Sequence, residues 1–179
     1  MSTTRTTLVE HVEQNPGIHF NALVRALGTT PDKLQRLTER VESDGDLIVT
    51  DLYGKRHFYP DGYDAWERHA LALVRRETTR DVLFYLLENA RSDPGAVAED
   101  VGIARSTLSW HCDRLIDAGL IEKQRDGRRV ELVARRPGEI HRLLASVEPT
   151  VLEQWVDRTT RLFDRLLEGS ERSERSDQE

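Results

Sequence analysis

The chain has 179 residues, 37 % hydrophobic and 32 % charged, with a formal net charge of −6. That length holds one ordinary domain or two small ones. A single cysteine forbids an internal disulfide framework, and the longest apolar run, Val82 to Leu87, is far shorter than the roughly 20 residues a bilayer demands. Met1 to Thr7 lacks the apolar core of a signal peptide, so the expectation is a cytoplasmic protein with neither secretion nor a membrane partner.

In chain order, Leu8, Val9 and Val12 predict a short amphipathic helix ended by Asn15-Pro16-Gly17. Ile18-His19-Phe20 reads as a short extended piece. Asn21 is placed to cap a helix carrying Ala22, Leu23, Ala26 and Leu27, closed by Gly28. Thr29 or Thr30 before Pro31 opens a third helix, with Leu34, Leu37 and Val41 on one face and Asp44-Gly45-Asp46 as its stop. Leu47-Ile48-Val49 and His57-Phe58-Tyr59 around Tyr53-Gly54-Lys55 predict a hairpin. Gly62 to Val74 then reads as a helix joining the first half of the chain to the second.

The pattern recurs from Thr78. Asp81 to Glu88 is an apolar helix, broken by Arg91-Ser92-Asp93-Pro94-Gly95. Ala96, Val97, Ala98 and Val101 mark a second helix closed by Gly102. Ser106-Thr107 opens a third, with Leu108, Cys112, Leu115 and Ile116 inward and Ala118-Gly119 as its stop. Leu120 to Lys123 and Arg129 to Val133 flank Asp126-Gly127 as a second hairpin. Gly28, Leu34, Val41 and Gly45 each precede Gly102, Leu108, Leu115 and Gly119 by 74 residues; Gly54 precedes Gly127 by 73, which reads as a one-residue change in the hairpin.

Three short helices followed by a hairpin form a winged helix-turn-helix unit. The residues Pro16 to Leu23, and above all Ile103-Ala104-Arg105-Ser106-Thr107-Leu108-Ser109-Trp110-His111 with Ala118-Gly119-Leu120-Ile121, resemble archaeal tandem winged helix-turn-helix transcriptional regulators of the broad ArsR/MarR type. The expected fold class is α+β, mostly helical: two winged helix-turn-helix units in tandem plus a C-terminal amphipathic helix. The units span residues 1–61 and 78–136, with a connecting helix at 62–77, C-terminal helices at 137–169 and a disordered acidic tail at 170–179.

The resemblance implies double-stranded DNA as partner, and the residues offer the chemistry. With Leu108 at the centre of the buried side, a helical period turns Ser106, Thr107, Ser109, Trp110, Asp113 and Arg114 outward. Hydroxyls, an arginine and an aromatic ring suit base edges, thymine methyls and backbone oxygens. Trp110 has two readings: contact with a base or sugar, or packing against the linker or a partner subunit. Arg105 is placed as a phosphate clamp at the start of that helix. On the second wing, Lys123, Arg125, Arg128 and Arg129 surround a glycine tip with only Asp126 against them, a set that suits phosphates. The first unit is weaker. Its third helix turns Lys33, Gln35, Arg36 and Arg40 outward together with Asp32 and Glu39, and its wing offers Lys55 and Arg56. Arg75, Arg76 and Arg80 beside the connecting helix are further phosphate candidates.

Beyond the second wing, Pro137-Gly138 starts a helix from Glu139 to Ser146, ended by Pro149. Val151, Leu152, Trp155, Val156, Leu162, Phe163, Leu166 and Leu167 then form an apolar stripe on a final amphipathic helix. Dimerisation through terminal helices is what the resemblance implies, so a homodimer is expected. No phosphate-cradling glycine loop, Cys-x-x-Cys or His-Glu-x-x-His run occurs, so no enzyme, cofactor or metal site is expected. His111-Cys112 is the only adjacent pair of soft ligands, and Cys112 falls on the buried face. A small-molecule effector cannot be named from these residues.

The charge balance bears on the partner. Of 26 basic residues 23 are arginine, and only Lys33, Lys55 and Lys123 are lysine. An acid-rich, lysine-poor composition resembles proteins of organisms that keep molar salt in the cytoplasm. There an acidic surface accompanies any function, so −6 does not exclude nucleic acid. The alternative is of another class: a tandem winged-helix scaffold that binds protein, as kleisin-associated and ESCRT subunits use the unit.

Overall fold

The computed structural model describes residues 4–147, apart from the side chain of Asp126. The terminal apolar stripe from Val151 and the acidic tail lie outside the described residues. The elements run α1 (Arg5–Gln14), β1 (Ile18–His19), α2 (Phe20–Ala26), α3 (Pro31–Ser43), β2 (Ile48–Leu52), β3 (Lys55–Tyr59) and α4 (Ala65–Val74). They continue with α5 (Glu77–Glu88), α6 (Pro94–Val101), α7 (Arg105–Asp117), β4 (Ile121–Asp126), β5 (Arg129–Ala134) and α8 (Pro137–Val147). This is a mostly helical α+β fold with two helix-turn-helix units in tandem.

Each hairpin gains a third antiparallel partner. In the first unit β1 pairs with β3 through Ile18 and Phe58, giving the order β1-β3-β2. In the second, Ser92 bridges Leu132. Ser92 lies 74 residues after Ile18, and Leu132 the same distance after Phe58. The extended piece expected at Ile18-His19-Phe20 is thus a pairing strand, and its counterpart in the second unit is a single bridge.

The hairpins also differ from expectation. Leu52 pairs with Lys55 and Asp126 with Arg129, so both turns have two residues and the 74-residue spacing is unbroken. The glycine changes place within the turn, and no residue is inserted. In the first wing Tyr53 and Gly54 both have positive φ, 52° and 75°. In the second, Gly127 takes the first turn position with φ 59° and Arg128 escapes the left-handed region. Primed turns of this kind match the right-handed twist of the strands.

Helix starts provide two corrections. Asn21 does not cap α2; His19 does, its Nδ1 accepting from the Ala22 N–H at 3.2 Å. The chain turns helical directly from β1, which puts the cap two residues earlier than asparagine preference suggests. Likewise α7 starts at Arg105 with Ala104 at the cap and no side-chain cap bond, so Ser106 and Thr107 lie inside the first turn. The Leu108 N–H to Ala104 carbonyl bond at 2.9 Å begins the helical ladder without them. The helix of the second unit expected from Asp81 begins at Glu77, and the connecting helix, 65–74, is started by a capping box of Asp64 and Glu67.

Among the described residues, two hydrophobic clusters form the core. One joins Leu8, Val12, Ile18, Leu23, Leu34, Val41, Leu47 and Phe58 of the first unit. The other runs from α4 through the whole second unit to Ile140, Leu143 and Leu144 of α8. The division passes through the first hairpin. Side chains alternate across a strand, so Phe58 enters the first cluster while Tyr59 and Leu52 enter the second. Buried Tyr59 donates its hydroxyl to the Arg68 carbonyl at 2.7 Å. Among the described residues no helix is long and apolar enough to cross a membrane.

The α2 cap gives a pH prediction. Burial, then the charges of Lys55, His57, Arg25 and Arg75, lower His19 from its ordinary 6.5 to about 4. Burial also lowers His57, which donates from Nδ1 to the Gly17 carbonyl at 2.8 Å. His19 stays neutral in the folded protein at pH values where the unfolded chain takes up a proton, and His57 acts in the same direction. The His19 contribution is complete above pH 6.5 and is lost as pH falls towards 4. The melting temperature is expected to fall over this window. His19→Asn keeps an acceptor that does not titrate and flattens the fall; equal steepness in variant and wild type removes His19 as a cause.

Candidate nucleic-acid interface

The site is built around α7. Leu108, Cys112 and Leu115 are buried and fix its orientation, while Ser106, Thr107, Ser109, Trp110 and Asp113 are exposed. Neither hydroxyl in the first turn caps the helix, and Ser106 and Thr107 are both exposed. Burial pushes the Cys112 thiol up to about 11, which disfavours the thiolate. Among the described residues no group of three or more His, Cys, Asp or Glu side chains is arranged to hold a metal.

Trp110 is 48 % exposed, the largest exposed apolar side chain among the described residues. One face is covered by Arg114, whose guanidinium carbon lies 3.3 Å from the ring centroid, and the His111 ring stands edge-on at 4.8 Å. Trp110 therefore packs within its own helix and still presents surface. Arg114 departs from expectation: it is half-buried, and its Nη1 is shielded with no hydrogen-bond partner. The stack with Trp110 turns it along the helix instead of outward.

The flanking cations divide into committed and available groups. Lys123 binds Asp113 at 3.2 Å and so ties β4 to α7. Arg105 is exposed but folds back over α6, where a Cβ on Gly95 would sit 2.5 Å from its Nη2. Arg125, Arg128 and Arg129 are exposed at the tip of the second wing. In the first unit Lys33, Arg36 and Arg40 are exposed beside exposed Asp32 and Glu39. Gln35 is only half-exposed and donates to Glu39 at 2.7 Å. Lys55 is exposed at the first wing, and Arg56 faces Asp51 across the hairpin at 3.8 Å. His57, named with this wing in the sequence, is a core residue.

Two arginines read as phosphate contacts are structural. Arg75 donates from Nε to the Pro16 carbonyl at 2.8 Å, and burial lowers it to about 10. Arg76 donates to the Tyr53 carbonyl at 3.3 Å and lies over the Tyr53 ring at 5.4 Å. Burial, and then the nearby Arg114 charge, lower its pKa. One turn further on, buried Thr79 shares a hydrogen bond with His111 Nδ1 at 3.3 Å. Burial lowers His111, assisted by Arg114 and Arg76. This cluster of Tyr53, Arg76, Thr79, His111 and Arg114 was invisible to periodicity, because it joins residues of different units.

Both units match known families. A family model described as "N-terminal HTH domain" matches residues 2–71, and one described as "Winged helix-turn-helix DNA-binding" matches residues 75–122. The chain thus carries two helix-turn-helix domains in tandem. No curated protein sequence matches it significantly. Among solved structures it is similar to NadR in complex with 4-hydroxyphenylacetate, at 24 % identity over 57 % of this chain and 79 % of that one, TM-score 0.38. It is also similar to a MarR family transcriptional regulator from Silicibacter pomeroyi, at 22 % identity over 52 % and 70 %, TM-score 0.33. A third is a MepR-like protein complexed with pseudoligands, at 16 % identity over 75 % and 92 %, TM-score 0.36.

Proposed function

We propose that this chain is a sequence-specific, DNA-binding transcriptional regulator, non-enzymatic and cytoplasmic, of the broad ArsR/MarR type that its sequence resembles. α7 lies in the major groove, with Ser106, Thr107, Ser109 and Trp110 towards base edges. The wings hold phosphates, and the stripe from Val151 to Leu166 pairs two copies. The observation that carries the reading is the second wing: exposed Arg125, Arg128 and Arg129 lie within five residues at a tight turn of a net-acidic chain. A local concentration of cations against the overall charge suits a polyanion.

Salt bears on how such a protein binds. Counterion release loses force steeply as salt rises. In a salt-filled cytoplasm, affinity then leans on apolar and shape contacts, and Trp110 is placed to supply them. The testing experiment is fluorescence anisotropy of the full chain with genomic fragments, including its own promoter, from low to molar KCl. Saturable binding to particular fragments in the presence of competitor DNA is the expected result. Absence of binding, or equal binding to every fragment, overturns it in favour of a protein-binding scaffold.

A further inference from the structure

The α4–α5 corner is a bracket. Its Arg76 holds the tip of the first wing through the Tyr53 carbonyl at 3.3 Å, and Tyr53 is held again from α4, its hydroxyl 3.4 Å from His69 Nδ1. One turn beyond Arg76, Thr79 holds His111 of α7 at 3.3 Å. The first wing and the C-terminal half of α7 are therefore fixed to the same corner. Their charges register the closeness: Arg114 and Asp117 of α7 both act on the Tyr53 phenol. On its other flank, α7 is tied to the second wing by Lys123 and Asp113 at 3.2 Å. The second recognition helix thus has a wing on each side. The first, α3, has two acids on its outer face, and its Gln35 amide is engaged by Glu39 at 2.7 Å.

We infer that the DNA surface of each chain is a single composite one: α7 reads the bases, both wings hold phosphates on either side of it, and α3 reads no site of its own. This rests on the regulator reading and specifies it further. Lys55 and Arg56 come directly after the anchored Tyr53-Gly54 turn, so the bracket delivers these cations to the flank of α7. The first helix-turn-helix domain serves by lending its wing. Its recognition helix stays outside the footprint, where Asp32 and Glu39 do not meet phosphate.

The test uses the full chain and a fragment that it binds saturably; if no fragment qualifies, it is the regulator reading that has failed. Lys55→Glu/Arg56→Glu is compared with Lys33→Glu/Arg36→Glu, and Lys55→Glu alone guards against disturbance of the Arg56–Asp51 pair. The wing variant is expected to lose about tenfold or more in affinity and to flatten the salt dependence, while the α3 variant stays within about twofold. Ethylation interference is expected to lose protected phosphates on one side of a single footprint. Loss of affinity in the α3 variant equal to that of the wing variant, or an unchanged wing variant, overturns the composite surface. So does a second protected major-groove segment per chain that the α3 variant removes.

Discussion

Arg128→Glu/Arg129→Glu is expected to lower affinity for a specific fragment on the order of a hundredfold near 0.15 M salt. The pair occupies the second turn position and the first residue of β5, at the exposed end of the second wing. Lys123 is committed to Asp113, so the tip depends on Arg125, Arg128 and Arg129 for its field. Reversing two of these three turns attraction into repulsion at two phosphates. Each lost contact lowers the slope of log affinity against log salt by about 0.9, so the slope is expected to fall by about two. The variant and wild-type curves therefore converge as KCl approaches molar. Neither residue lies in the core, so the melting temperature stays nearly constant, which separates lost binding from lost folding. An unchanged affinity and slope would take the wing off the phosphate backbone.

Much of the fold was legible because two periods dominate the sequence. Leu34 and Val41, and Leu108, Cys112 and Leu115, keep to a helical period and are buried as that period requires. The glycine stops at Gly28, Gly45, Gly102 and Gly119 all have positive φ. What escaped was the equivalence of α4 and α8. Each comes after a residue with positive φ, Gly62 or Arg136, and those two residues lie 74 apart. Their apolar patterns differ because their surroundings do. Every residue from Ala70 to Val74 is buried between the units, whereas α8 buries Ile140, Leu143 and Leu144 along one side. Five consecutive buried residues leave no periodic stripe to detect in the last half of α4.

The candidate site was legible only in its outward half. Spacing identified which face of α7 is exposed, but not that Arg114 stacks on Trp110 or that Arg76 binds the Tyr53 carbonyl. Both arginines carry long side chains whose stems run along apolar surface before the charge finds a partner, and sequence spacing carries no information about that direction. Arg75 is the clearest case. It looks like a phosphate contact in the sequence and serves as a brace between α4 and the Pro16 carbonyl.

That brace belongs to the junction on which the second large effect falls. Leu71→Ala is expected to destabilise the protein by about 2–5 kcal/mol, the range for a fully buried leucine, and to lower the melting temperature on the order of 10 °C. Leu71 is completely buried in the cluster shared by α4 and the second unit. It also presses on the first unit: a Cβ on Gly17 would stand 3.1 Å from its own Cβ. Leu34→Ala removes the same atoms from the cluster confined to the first unit. The two variants are separated by spectroscopic probe. Residues 1–61 contain no tryptophan, while Trp66 lies on α4 and Trp110 on α7. Leu34→Ala should therefore lose helical circular dichroism before tryptophan fluorescence changes, because the first cluster melts while the second holds. Leu71→Ala should move both signals together, because α4 is the element against which both units pack. Coincident transitions in Leu34→Ala would mean that the boundary through Phe58 and Tyr59 divides the side chains but not the free energy. The first unit would then be stable only as part of the whole, as a domain that lends its wing to its neighbour can be.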